Sequence, residues 1–400
     1  MKKNTLMILA FSAVPFIMVL GNSMLIPEFP AIKKTLDISQ FEVGLFITIF
    51  SLSAGLTIPL LGYISDQIGR KKVIIPALLL YGTGGIISGT AALLLDQPFI
   101  IILIGRGLQG IGAAGTAPIV MALVGDLFQS EKRSEVLGIL EAANGIGKVV
   151  SPVLGAAIGL ISWIALFFFY AFLAIPIAIG VWVWGREKHK PQKQGFKPYL
   201  QEIIKIFKNK GFSLLATISA GMLALFCLFG LLSYFSDLLE VKYHIQGLSS
   251  GLIIAIPILF MSITSYFDGL LLKKIKKYYK VSILTGLSLI PAVLFILNFI
   301  EALYLYVFFF SLLGIGTGLI LPAINTLVTS STASNQRGII TSIYGSARFL
   351  GVAAGPPVFS FLEEINLSLM YFGSSGIAVI ILILAAIFIK EKGMTPPKKN

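Results

Sequence analysis

The sequence predicts an all-α membrane protein of twelve transmembrane helices arranged as two six-helix halves. Composition, the length of the apolar runs and an internal duplication carry that expectation. Apolar residues make up 56% of the chain and charged residues only 12%, about half of the roughly 25% charge that a soluble domain needs to cover its surface. The apolar residues fall in runs of about 20, the length at which a helix crosses ~30 Å of hydrocarbon. The second half then repeats landmarks of the first.

Twelve runs are read in order: 6–26, 43–64, 74–95, 99–125, 136–160, 163–184, 214–235, 248–271, 281–300, 302–328, 338–362 and 367–389. The first opens on Lys2 and Lys3, as a secretory leader would. It is too long and apolar for one, has no small-residue cleavage site before Pro27, and further spans follow, so it reads as a membrane span. Residues 1–184 form the expected N-terminal six-helix bundle, 185–211 a cytoplasmic linker, and 212–400 the C-terminal bundle. Within the linker, Leu200, Ile203, Ile204 and Phe207 recur at helical spacing among lysines. That pattern fits a helix lying on the inner leaflet, and equally a solvated connector.

Basic residues set the expected orientation. With the N-terminus inside, cytoplasmic segments hold 25 of the 31 Lys and Arg, eight of them across Arg186–Lys210, while the opposite face holds Lys33, Lys34 and Lys242. Both termini, and the loop around Lys193, are therefore expected in the cytoplasm of a cell-membrane protein. The net charge of +13 is explained by topology and by attraction to anionic lipid; it calls for no nucleic-acid partner. Cys227 stands alone inside a run, so no disulfide framework exists.

The duplication is ordered. Gly110, Gly112 and Pro118 recur as Gly314, Gly316 and Pro322 at an offset of 204, at which Arg133 also matches Arg337 and Pro152 matches Pro356. Gly44, Leu45 and Gly62 match Gly251, Leu252 and Gly269 at an offset of 207. Parallel six-helix repeats place a solute site near mid-membrane between them.

The turn after the second run reads Gly62-Tyr-Ile-Ser-Asp66-Gln-Ile-Gly69-Arg70-Lys71-Lys72. Gly62 and Gly69 permit a tight turn and close helix approach, and Asp66 sets a carboxylate beside Arg70. The segment resembles the cytoplasmic signature of the major facilitator superfamily. The resemblance implies that Gly62, Asp66, Gly69 and Arg70 latch one conformation together with an acid at the end of span four, where Asp126 stands. The matching loop of the second half, from Gly269, has lost the Asp, so a one-sided latch is expected.

Span four carries Arg106-Gly-Leu-Gln109-Gly110-Ile-Gly112, which resembles a motif of proton-coupled members. Its literal GxGxxG, Gly110 to Gly115, follows no strand and opens no βαβ unit, so it is not a dinucleotide site. Arg106 inside the membrane is costly unless it meets protein or water. It is expected to face the cavity as a substrate anchor or proton-relay partner, with carbonyl-bonded packing the alternative. Span five, from Gly138 to Ala156, resembles the family's antiporter motif through Gly147, Ser151, Pro152 and Gly155, although Ser151 and Ala156 stand where glycines are usual. Span eleven repeats the core in Gly351, Gly355 and Pro356. Gly145-Ile-Gly147-Lys148 lacks the first Gly and the Ser/Thr of a phosphate loop and is membrane-embedded, so nucleotide binding is not expected.

Glu141 and Lys148 are two helical turns apart and share a face. With Asn144, Arg106 and Arg348 they are the expected cavity residues, net positive, and Glu141 is the expected proton carrier because a buried Glu titrates when a cation approaches. The chain as a whole resembles the twelve-span drug/proton antiporter group. That resemblance implies efflux of small amphipathic compounds by alternating access, driven by the proton gradient without cofactor or metal, with protons, solute and lipid as partners and a monomer as the expected state. Alternatives are a transporter of an anionic metabolite (a siderophore or organic acid exporter, or an importer) and a lipid flippase. An enzyme is disfavoured because His189 and His244 flank spans and no nucleophile or metal cluster is apparent in the sequence. An ATP-driven pump would need a nucleotide domain.

Overall fold

A computed structural model describes residues 2–187, 195–275, 278–330 and 337–390. Lys193 and its neighbours lie outside these. Fourteen α-helices are described: α1 (Lys2–Ser23), α2 (Phe29–Leu36), α3 (Gln40–Ile68), α4 (Lys71–Leu94), α5 (Phe99–Ala114), α6 (Ala117–Leu127), α7 (Ser130–Gly159), α8 (Ala165–Trp184), α9 (Phe196–Val241), α10 (Gly247–Lys274), α11 (Tyr279–Leu297), α12 (Leu303–Ser330), α13 (Arg337–Ile365) and α14 (Leu367–Phe388). They make twelve spans, because two spans are broken by local chemistry. Span one passes from α1 through a 3₁₀ turn at Ile26–Glu28 into α2, where Pro27 and Pro30 withhold backbone donors. Span four breaks between α5 and α6 at Gly115 and Thr116, and Pro118 opens the new helix.

Eleven described segments are long and apolar enough to cross a bilayer. The twelfth, α13, has the length but is diluted by Arg348, Glu363, Glu364 and many small residues. Prolines sit inside most spans, Pro59, Pro76, Pro152 and Pro257 among them; neighbouring helices make this tolerable in lipid. Helix ends follow ordinary capping rules. Ser39 and Glu42 form a capping box ahead of α3, and the Asn366 side chain accepts from Ser368 and Leu369 at the start of α14. The linker is helical from Phe196 to a break at Gly211, whose φ of 44° ends the regular path. On that segment Ile203 and Phe207 are half-buried and Ile204 is exposed.

The chain divides into two compact units. Unit 1 holds residues 1–194 together with 236–255, and unit 2 holds 195–235 and 256–400. The division therefore departs from the expected halves at one place: the far end of α9 and the first turns of α10 group with the N-terminal bundle. Their contacts, described below, give the reason.

Candidate functional site

The α3–α4 turn of unit 1 assembles a charged cluster. Arg70 Nε donates to Asp126 Oδ2 at 2.6 Å and its Nη1 lies 2.9 Å from Asp66 Oδ1, one helical turn back. The motif glycines allow this path: Gly69 has φ 109°, a left-handed conformation that any side chain would strain. A further acid, Glu187, accepts from the Arg70 backbone N–H and so sits at the N-terminus of α4, where a negative charge is favoured. In return Lys71 Nζ donates to the carbonyls of Trp182 and Gly185, at 2.5 and 3.0 Å, closing the C-terminus of α8. Asp66, Gly69, Arg70 and Asp126 are thus brought together, with Gly62 one turn before Asp66. Glu187 was not foreseen; it lies 117 residues from Arg70 and its neighbours in sequence are basic.

Arg106 differs from the cavity-facing expectation. It is fully buried in unit 1. Its Nε donates to Phe46 O at 2.9 Å, Nη1 to Gln109 Oε1 at 2.9 Å and Nη2 to Gly21 O at 2.6 Å. The guanidinium also stacks 4.5 Å from the Phe50 ring centroid. Carbonyls of α1 and α3 and the amide of its own helix satisfy the cation, so it ties α5 to both neighbours and turns no donor to open space.

The two faces of α7 do different things. Gly147 and Gly155 press on α1: a Cβ at Gly155 would stand 1.9 Å from Met24 O, so only glycine permits that crossing. Ser151, between them, is buried. On the opposite face Gly138 and Gly145 meet nothing within 4 Å. Glu141 is exposed there, against the expectation of a buried acid, and Lys148 is half-buried, while Asn144 is buried. The same stripe runs on to Pro152 and Ala156, which receive Gly251 of α10. Glu141 and Lys148 therefore lie on the side from which α10 approaches.

That approach ends in a polar docking patch. Lys33 of α2 pairs with Asp237 of α9, and Ser236 Oγ donates to Ile26 O at 2.6 Å. Glu28 is buried against Gly159 of α7, and Gln246 Nε2 donates to Glu240 Oε1 at 2.8 Å. These contacts explain why 236–255 join unit 1.

In unit 2, Gly351 and Gly355 of α13 pack on Met222 and Phe226 carbonyls of α9, and Pro356 follows on the same helix. Arg348, on the same side of α13, is half-buried and lies 5.6 Å from the Tyr344 ring centroid. Asp268 is a further carboxylate within a span, one that the sequence reading did not single out. It lies inside the α10 span, 4% exposed, and accepts from Ser282 Oγ at 2.9 Å. The second-half loop thus has its acid one residue before Gly269, bonded to a hydroxyl where Asp66 is bonded to an arginine.

The model of the Major Facilitator Superfamily matches residues 11–356. The chain is 40% identical over 401 residues to the bacillibactin exporter of Bacillus subtilis, covering 98% of each. It is 26% identical to multidrug resistance protein 2 of the same organism, covering 98% of this chain and 96% of that one. Among solved structures, a D-xylose–proton symporter superposes with a TM-score of 0.79 at 14% identity, over 98% of this chain and 100% of that one. A bacterial homologue of the human lysosomal transporter Spinster superposes with a TM-score of 0.77 at 16% identity, over 98% and 97%. These two likenesses speak for the fold.

Proposed function

This chain belongs to the Major Facilitator Superfamily, and we propose that it exports a small amphipathic metabolite of the siderophore type by alternating access. It is a multi-pass membrane transporter, and its relatives are transporters, not enzymes. The observation that carries the finer reading is the 40% identity to a bacillibactin exporter along 98% of both chains. The charge inventory agrees in sign. Within unit 1, Glu141 and Lys148 lie on the open face of α7 and Arg106 spends its donors on backbone carbonyls and Gln109; within unit 2, Arg348 is half-buried on α13. A cation desolvated beside Lys148 or Arg348 would be repelled, and an anion attracted, by several kcal/mol at low effective dielectric.

Inward proton movement is the proposed driving force. Glu141 is kept as the proposed carrier for its place two turns from Lys148 on one face of α7, although it is exposed and not buried as the sequence led us to expect. The Asp66–Arg70–Asp126 cluster is the proposed conformational latch, because its three side chains come from the ends of α3, α4 and α6 and any relative shift of those ends breaks it. Both termini are proposed to be cytoplasmic, from the distribution of basic residues, and the working unit a monomer.

A multidrug reading stands second, favoured by the 26% identity to multidrug resistance protein 2. Secretion distinguishes the two. Iron-limited cells lacking their own siderophore exporter and carrying this chain should release siderophore to the medium, while their tolerance of quaternary ammonium dyes changes little. Dye tolerance without siderophore release would replace the first reading by the second.

A further inference from the structure

Two arginines lie inside spans, and they are treated differently. Arg106 gives its donors to two carbonyls and an amide oxygen, as an arginine kept for packing must. Arg348 is not compensated in that way. Its Nε–H is buried and donates to no partner, and among the described residues no carboxylate pairs with it. Beside it stands a second unsatisfied donor. Tyr344, one turn earlier, is 1% exposed, and its hydroxyl has no hydrogen-bond partner. The phenol lies over Gly221 of α9, where a Cβ would come within 3.0 Å of the hydroxyl. Residues 344, 348, 351 and 355 share one face of α13 at helical spacing, and the last two close that face against α9. The 351–355 part of the seam is sealed by glycines, and the two turns before it present the Arg348 Nε–H and the Tyr344 hydroxyl without a partner.

A buried donor without an acceptor and a cation without a counter-charge are both costly. Their adjacency is understandable if the missing acceptor is the solute. We propose that Arg348 and Tyr344 form the oxyanion subsite of the exported solute, taking a planar carboxylate or a vicinal phenolate pair carried on an aromatic body. The guanidinium offers parallel N–H donors that match two oxygens in one plane. The hydroxyl adds a third donor, and the Tyr344 ring centroid lies 5.6 Å from the guanidinium carbon. Tyr344 is therefore both donor and positioning residue. The inference rests on the export reading above and adds to it the chemical group that is recognised.

The test uses the full chain in proteoliposomes with four matched probes: biphenyl-4-carboxylate, its methyl ester, a catechol amide of the same ring, and the corresponding trimethylammonium. Wild-type protein should prefer carboxylate or catechol over the ester, and whichever of the two is preferred identifies the oxyanion. Arg348→Gln should reduce the oxyanion-over-ester ratio of kcat/KM by about tenfold or more, the value of a lost charged hydrogen bond. Arg348→Lys should keep part of it, because a point charge cannot fork. Tyr344→Phe should lower the ratio with a smaller change. An unchanged ratio in Arg348→Gln overturns the proposal. So does an equal loss for all probes restored by Arg348→Lys, which marks a packing role. Wild-type transport of the trimethylammonium alone, or of no probe at all, sinks the export reading itself.

Discussion

Breaking the Lys33–Asp237 pair should loosen the docking patch of unit 1, and removing the lysine should do so more than removing the aspartate. The two side chains are 23% and 17% exposed, between a surface pair and a buried one. At a contact of about 3 Å and an effective dielectric near 20 their attraction is about 5–6 kcal/mol. Desolvation and lost side-chain freedom take back most of it, leaving a coupling of about 1–2 kcal/mol. The asymmetry comes from the neighbours. Glu240 lies one turn beyond Asp237, and Glu28 is buried in the same patch. Lys33→Ala leaves Asp237 without its cation and with Glu240 one turn away, whereas Asp237→Ala leaves a lysine whose long stem can carry its charge back to water. Ser236 supplies the readout, being fully buried and bonded to Ile26 O in the docked state. In a Cys227→Ala background, maleimide labelling of Ser236→Cys in purified protein follows the undocked population. At tenfold per 1.4 kcal/mol, labelling should quicken by roughly 5–30-fold in Asp237→Ala and by more in Lys33→Ala. The exchanged pair Lys33→Asp/Asp237→Lys should return toward the parent rate. Equal labelling in all four proteins would refute the reasoning, as would a faster rate in Asp237→Ala than in Lys33→Ala.

Three further outcomes follow from the same geometry. Glu141→Gln should abolish uphill export while solute counterflow persists, since binding and reorientation need no titratable group; a mutant that still concentrates solute removes Glu141 as carrier. Arg70→Lys and Asp66→Ala should each slow transport by roughly tenfold with insertion unchanged, because a lysine cannot hold Asp66 and Asp126 at once; wild-type rates would reduce the motif to a topology signal. Gly155→Ala should lower thermal stability by about 1–3 kcal/mol because its Cβ strikes Met24 O. Gly145→Ala on the open face should be neutral or stabilising by up to about 1 kcal/mol. Equal effects would mean that α1 and α7 do not cross as described.

What sequence made legible was local or periodic. Apolar runs announced the spans because hydrocarbon thickness fixes their length. Asp66 and Arg70 announced their pairing because they are four residues apart across one tight turn. What depended on distant backbone was not legible. The solvation of Arg106 comes from Phe46 and Gly21, 60 and 85 residues away, and a residue letter says nothing about where carbonyls will point. The same holds for Glu187 at the α4 N-terminus and for the burial of Asp268. Span four looked continuous because Gly115 and Thr116 interrupt composition only slightly, although they break the helix. Arg348 was visible as a cation in a span, but its orphaned neighbour Tyr344 became visible only when α9 closed over it.

Export driven by protons is tested most directly by simultaneous flux. Proteoliposomes carrying the purified chain, with a pH-sensitive dye inside, are given bacillibactin on one side and an imposed proton gradient across the membrane. Siderophore should accumulate against its own gradient in the more acidic compartment, with protons moving the opposite way, and a protonophore should abolish both movements. Accumulation that survives the protonophore, or proton flux elicited by a quaternary ammonium dye and not by the siderophore, would contradict it.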